Sequence, residues 1–136
     1  MLTFTRATYD AVVEHAREGG DEEVCGVLAG SHGEEASRAV TAHRAPNVAE
    51  TPRTRYAMAP EEQLRILDAV EDAGREVVGF YHSHPTGPPT PSETDVARAT
   101  WPGVSYVICA LDGHPFVGGW RWREAEGFER ETVALG

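Results

Sequence analysis

A chain of 136 residues, 40 % hydrophobic and 25 % charged, is long enough for one folded domain with its own core. Its net charge of −10 argues against nucleic acid or an anionic membrane surface as a partner, and no apolar run approaches the ~20 residues of a membrane span. The opening MLTFTRATYD has no basic segment followed by an apolar one, so no secretion signal is read there.

Cys25 and Cys109 lie far apart in apolar surroundings. Without a secretion signal they are expected to be reduced thiols, and the compartment to be the cytoplasm. All 12 basic residues are arginine. A GC-rich genome would produce that by itself. So would a cytoplasm of very high salt, where a dense carboxylate surface stays solvated and its self-repulsion is screened, as in halophiles. Composition leaves both readings open.

In chain order, residues 1–4 suit a short strand. TRATYDAVVEHAREGG then sets Tyr9, Val12, Val13 and Ala16 at helical spacing, stopped by Gly19-Gly20. EVCGVLAG (23–30) reads as a buried strand, and 36–45 as its pairing partner. Residues 46–54 form an irregular, exposed loop, with a short strand expected around Arg55–Met58. APEEQLRILDAVEDAG (59–74) is the clearest helix: Pro60 and two acids open it, Leu64, Ile66 and Leu67 supply its apolar side, and Gly74 ends it. EVVGFYHSH (76–84) is a strand, PTGPPTP an irregular loop, and SETDVARAT a short helix ended by WPG. Residues 104–112 and 115–122 suggest a hairpin about Gly113-His114, and a last strand is expected near 126–134. Strands in direct succession, interrupted by helices, favour an α+β domain with a mixed or largely antiparallel sheet packed by helices.

The chemistry concentrates in HSHPTGPPTPSETD. On a strand, residues two apart face the same way, so His82 and His84 share one side while Tyr81 and Ser83 share the other. Two imidazoles near a strand end suit a divalent cation and need a third ligand. Asp95 would lie in the first turn of a helix capped by Ser92, and the stiff proline-rich loop could hold that turn against the strand end. His82, His84 and Asp95 with one position left for water is the catalytic zinc pattern. Taken singly, Ser92-x-x-Asp95 is an ordinary capping box and a His-x-His pair an ordinary surface feature; the conjunction at fixed spacing is what distinguishes them. His15, His32, His43 and His114 have no ligand spacing and are expected to be solvated or locally bonded. Cys25 reads as a small buried residue.

The pattern resembles the JAMM (MPN+) metalloproteases: Glu, a long gap, His-Ser/Thr-His-Pro, six residues, Ser, two residues, Asp. HSHP is 82–85, TGPPTP the six, then Ser92 and Asp95. DEEVCGVLAG is similar to the family's Glu-x-Cys-Gly strand, EQLRILDAVEDAG to its second helix and YVICAL to the strand after the motif. The resemblance covers most of the chain and is nearest to the short prokaryotic type, the archaeal desampylases among them. It implies one MPN/JAMM-type domain over residues 1–136 with a curved sheet, and one Zn²⁺ on His82, His84 and Asp95. It further implies Glu23 as general base and Ser92 as donor to the oxyanion. Glu22 competes with Glu23, but strand neighbours face opposite ways and the Glu-x-Cys-Gly register selects Glu23.

Family resemblance also implies the substrate: the bond after the C-terminal Gly-Gly of a ubiquitin-like protein, held by strand addition in a narrow groove. Thr54, Arg55 and Tyr56, with the 85–91 loop, are the candidate flank of that groove. Two substrate types compete among short members: small archaeal modifiers on target lysines, and a sulfur carrier whose C-terminus bears an amino acid such as cysteine. Assembly scaffolds of the same fold lose the metal residues, all of which are present here. The expected assembly is a monomer or weak homodimer. A lysine-free chain would also offer no lysine acceptor to the modifiers it removes, although genome bias accounts for the composition equally well.

Overall fold

The computed structural model describes residues 1–112 and 116–136. Its elements run β1 (Leu2–Phe4), α1 (Arg6–Gly19), β2 (Cys25–Ser31), β3 (Ser37–Ala45), α2 (Pro60–Asp72), β4 (Glu76–His84), α3 (Glu93–Arg98), β5 (Ser105–Ala110), β6 (Val117–Arg123), β7 (Gly127–Glu131) and β8 (Val133–Leu135). The strands form one 8-stranded sheet in the order β7-β6-β5-β4-β2-β3-β1-β8. It is mixed: β2–β3, β2–β4, β5–β6 and β6–β7 are antiparallel, while β1–β3, β1–β8 and β4–β5 are parallel. The α+β class expected from the sequence is the one found.

The sheet has a core on each face. β4 divides them by alternation: Tyr81 joins Val12, Val13 and Ala16 of α1, whereas Phe80 joins Ile66 and Val70 of α2. That is the period-two rule for a strand buried on both sides. Glycines let β2 lie close to β3 under the Tyr81 ring, and β4 close to β5. A Cβ at Gly26 would collide with the Tyr81 ring and the His43 carbonyl, and one at Gly79 with the Ser105 carbonyl. β4 and β5 are parallel, so a crossover must join them. Residues 85–104 are that crossover, and they carry the proline-rich loop and α3.

Three expectations are corrected. Residues 55–58 form no strand. Their backbone bonds to side chains and to loop carbonyls instead: Asn47 Nδ2 donates to Arg55 O at 2.9 Å, Ala57 N–H to Asn47 Oδ1 at 3.0 Å, Arg98 Nη1 to Tyr56 O at 3.0 Å, Arg55 N–H to Thr51 O at 3.1 Å and Val48 N–H to Ala57 O at 2.9 Å. On α2 the core side is Ile66 and Val70, while Leu64 is 60 % exposed. At about 3.6 residues per turn, positions 64 and 66 point to nearly opposite sides of the helix, and the buried face falls on 66 and 70. The final strand is two strands: β7 extends β6, and β8 crosses to the far edge beside β1. Strands β5 and β6 pair as expected, but the turn at Gly113-His114, and His114 itself, lie outside the described residues.

Candidate metal centre

At the end of β4, His82 and His84 are buried side by side, 2 % and 5 % exposed, with their Nε2 atoms 3.1 Å apart. Ser83 points the other way, where its Oγ accepts from Val24 N–H at 2.9 Å while its own N–H donates to Val24 O at 3.1 Å. These bonds carry the β2–β4 pairing one step past Cys25–His82 and bring Glu23 level with His84. Glu23 is accordingly buried and Glu22 exposed, and Glu23 stands just ahead of β2 rather than within it. Ligand atoms of Glu23, His82 and His84 all lie within 4.8 Å of one another.

The fourth member comes from α3. Ser92 caps that helix: its Oγ accepts from Asp95 N–H at 3.1 Å and its N–H donates to Asp95 Oδ2 at 2.8 Å, a reciprocal capping box. The box fixes the Asp95 carboxylate, whose Oδ2 stands 3.2 Å from His82 Nε2 and 3.1 Å from His84 Nε2. The helix start expected from Ser92-x-x-Asp95 is therefore the device that delivers Asp95 to the histidines.

The protonation pattern follows from these contacts. Burial works to raise the Asp95 carboxyl, but the hydrogen bonds from His82, His84 and Ser92 N–H hold it far below the usual range. His82, fully enclosed, is pushed down by burial despite Asp95. At His84 burial is outweighed by Asp95 and the Pro88 carbonyl, and its pKa is raised. Burial, reinforced by Asp95 and opposed by His84, lifts Glu23 to about 7.

The residues fit a zinc ion. His84 Nδ1 donates to Pro88 O at 2.8 Å, which leaves Nε2 as the lone-pair nitrogen of the neutral ring. In that neutral form the lone pair faces His82 Nε2 and the anionic Asp95, and a cation at this point would take the place of the protons that otherwise make the Nε2 hydrogen bonds to Asp95. Glu23 Oε1 is buried and has no hydrogen-bond partner among the described residues, in the position of a carboxylate awaiting a proton donor.

The Tyr56 ring stacks on His82, centroids 4.4 Å apart and 24° from coplanar. Thr54 and Arg55 are exposed and turn away into a tight bend closed on Thr51 O; only Tyr56 of the three touches the cluster. Cys25 is buried, its Sγ donating to Ala45 O at 3.6 Å, and burial with Glu23 nearby pushes the thiol up to about 12. Cys109 is buried and unpaired as well. His43 is locally bonded to Thr41, but His15 and His32 reach across the fold, to Tyr81 Oη at 2.7 Å and Gly103 O at 2.8 Å.

Two residues escaped the sequence reading. Asn47 Nδ2 donates to Glu23 O at 2.8 Å as well as to Arg55 O, and its Oδ1 accepts from Ala49 and Ala57 N–H at 3.1 Å and 3.0 Å. Arg98 Nη1, from the last turn of α3, donates to Tyr56 O at 3.0 Å. Asn47 ties the Glu23 backbone to the 47–57 loop, and Arg98 ties that loop to the helix carrying Asp95. An asparagine next to a proline in a loop is a signal for side-chain-to-backbone bonding. Nothing in the sequence tells which backbone it will reach.

Comparison with known proteins identifies the family. The chain is 50 % identical over 138 residues to a desampylase of Haloferax volcanii, covering 98 % of this chain and 96 % of that one. It is 40 % identical over 108 residues to a CysO-cysteine peptidase of Mycobacterium tuberculosis, covering 79 % and 72 %. A solution structure of a protein from Desulfitobacterium hafniense superposes with a TM-score of 0.88 at 27 % identity, covering 100 % of this chain and 93 % of the other. Residues 5–124 match the family described as prokaryotic homologs of the JAB domain, and the chain belongs to that family.

Proposed function

We propose that this chain is a zinc-dependent isopeptidase, one catalytic domain over residues 1–136, that hydrolyses the bond after the C-terminal Gly-Gly of ubiquitin-like modifiers and frees them from target lysines. The observation that carries the proposal is the convergence of His82, His84 and Asp95 on one point, with the buried, unpartnered Glu23 Oε1 beside it. The likeness to a desampylase over nearly the whole chain supports the substrate class.

In this reading His82 Nε2, His84 Nε2 and Asp95 Oδ2 hold one zinc ion per chain. When bound, the ion supplies a Lewis acid that lowers the pKa of its water to about 7 and polarises the scissile carbonyl. Glu23 takes the proton of the attacking water on Oε1 and passes it to the departing lysine amine; a carboxyl lifted toward neutrality is suited to both transfers. The Ser92 hydroxyl, whose oxygen accepts from Asp95 N–H, keeps its own hydrogen for the carbonyl oxygen as that oxygen gains charge. Tyr56 shields one face of the His82 ring from water and confines the site on that side. The working form is a cytoplasmic monomer or weak homodimer, partnered by modifier conjugates and not by nucleic acid.

A second reading has its own support in the CysO-cysteine peptidase likeness: release of an amino acid from a carrier's C-terminus. Both adducts share the acyl side and differ in the leaving amine. Incubating the zinc-loaded protein with a lysine conjugate and with a carrier bearing a C-terminal cysteine separates them. Chelator-sensitive release from the lysine conjugate is expected; release from the cysteine adduct alone would replace the first reading by the second.

A further inference from the structure

The chain passes from His84 to the helix of Asp95 through residues 85–91, which include Pro85, Pro88, Pro89 and Pro91. Of these residues, Pro88 alone has a backbone hydrogen bond among the described residues, and its partner is a histidine of the metal centre: the Pro88 carbonyl accepts from His84 Nδ1 at 2.8 Å. Three successive residues aim that carbonyl. Gly87 has φ +105°, a conformation that residues with a Cβ rarely adopt. The ring of Pro88 holds its own φ at about −65°, and Pro89 behind it keeps ψ of Pro88 in the extended range. The direction of the Pro88 C=O bond is therefore set before any metal arrives. A Cβ at Gly87 would meet nothing within 4 Å, so the glycine is needed for its backbone and not for space.

What this carbonyl does to His84 is a matter of tautomer. A neutral imidazole carries one N–H, and it can lie on either nitrogen. A zinc ligand must present its bare nitrogen to the ion. A bond from Nδ1 to a carbonyl keeps the proton on Nδ1 and leaves the lone pair on Nε2, the nitrogen that stands 3.1 Å from Asp95 Oδ2 and 3.1 Å from His82 Nε2. The same bond fixes the rotation of the ring. The two histidines are thus held in different ways: His82 from its face, by the stacked Tyr56 ring, and His84 from its edge, by a backbone acceptor.

We propose that Gly87, Pro88 and Pro89 are positioning residues for zinc: together they preset a carbonyl that holds His84 in the tautomer and rotation the ion needs, so metal affinity depends on the backbone of this loop as well as on the three ligands. The proposal deepens the zinc reading of the site and rests on it. The rival is general stiffness, to which all four prolines contribute and in which Pro89 ranks no higher than Pro91.

The test uses the full chain, freed of metal and titrated with zinc against a competing chelator. Gly87→Ala disturbs the carbonyl from the residue before it and Pro89→Ala from the residue after it, while Pro91→Ala loosens the loop elsewhere. Gly87→Ala and Pro89→Ala should each raise the zinc dissociation constant about tenfold or more, the usual consequence of losing a ligand's outer partner, and Pro91→Ala should stay within about twofold of the parent. Pro89→Ala leaves the glycine in place, so it decides the matter even where Gly87→Ala fails to fold. In the zinc-loaded parent, proton–nitrogen NMR should show a His84 Nδ1 proton that exchanges slowly with water, and in Pro89→Ala that proton should exchange about tenfold faster as its acceptor is lost. A dissociation constant for Pro89→Ala equal to the parent's, or the same weakening by Pro91→Ala, would overturn the positioning role while leaving the zinc reading intact. A parent that binds no zinc would overturn both.

Discussion

The side-chain amide of Asn47 donates to the main-chain carbonyl of Glu23 at 2.8 Å. The same residue holds three other backbone groups, so one side chain sets the position of the proposed base and the shape of the 47–57 loop together. Asn47→Ala should cost about 1–3 kcal/mol of stability, since it strands polar backbone groups. It should also lower kcat by ten- to a hundredfold, as misplacement of a catalytic group by about an ångström does. Asn47→Asp keeps the acceptor oxygens but sets a carboxylate against two carbonyls, so it should not rescue. Folding stability and kcat measured on both variants check this; loss of stability with unchanged kcat would make Asn47 purely structural.

Ser92 has two separable tasks. As N-cap it should contribute about 1 kcal/mol to α3, and as donor to the carbonyl oxygen about 10²–10³ in kcat. Ser92→Ala should lose both, and Ser92→Thr should keep most of each. If Ser92→Ala merely loosens metal binding through Asp95, zinc titration will show it, and kcat at saturating zinc will recover.

Metal affinity should fall as the medium is acidified. Zinc requires neutral imidazoles, and Asp95 together with the Pro88 carbonyl raises the His84 pKa above its ordinary value. Protons therefore compete for His84 in a window that begins above the usual histidine range. Zinc dissociation constants measured from pH 8 down to pH 6 should weaken steadily, and a pH-independent constant would contradict the ligand assignment.

Stability has a separate pH dependence. Burial, with Arg44 nearby, lowers the His15 imidazole from 6.5 to about 4, opposed in part by Glu18. Between those two values the unfolded chain binds more protons than the folded one, so stability falls as pH drops from 6.5 toward 4. Above 6.5 the contribution is fully present. His15→Gln should flatten this part of the profile, read as the difference in thermal midpoint between variant and parent across that range.

Much of the centre was legible because its parts are local. His82 and His84 share a strand face by alternation, and Ser92 and Asp95 share a capping box; both are short-range geometry that spacing encodes. Glu23 was named only through the resemblance; the structure buries it and exposes Glu22. What was not legible depends on which distant backbone a side chain meets. Asn47 reaches Glu23, Arg98 reaches the Tyr56 carbonyl, and His15 reaches Tyr81, none of which spacing encodes. The 55–58 strand failed for the same reason: the segment's hydrogen bonds go to Asn47, Arg98 and nearby loop backbone rather than to a neighbouring strand. Leu64 shows that hydrophobicity marks a helix more surely than it marks the buried face.

The central claim is that Glu23 moves the proton between the attacking water and the leaving amine while His82, His84 and Asp95 hold the zinc. The most direct measurement compares parent and Glu23→Gln at matched, saturating zinc on one lysine-linked conjugate, with the released modifier weighed by intact mass. The parent should release a modifier ending in an intact Gly-Gly. Glu23→Gln should bind the same zinc and the same conjugate but turn over about 10²–10⁴ times more slowly. Turnover by Glu23→Gln at a rate near the parent's, or a product cut elsewhere than after Gly-Gly, would contradict the account.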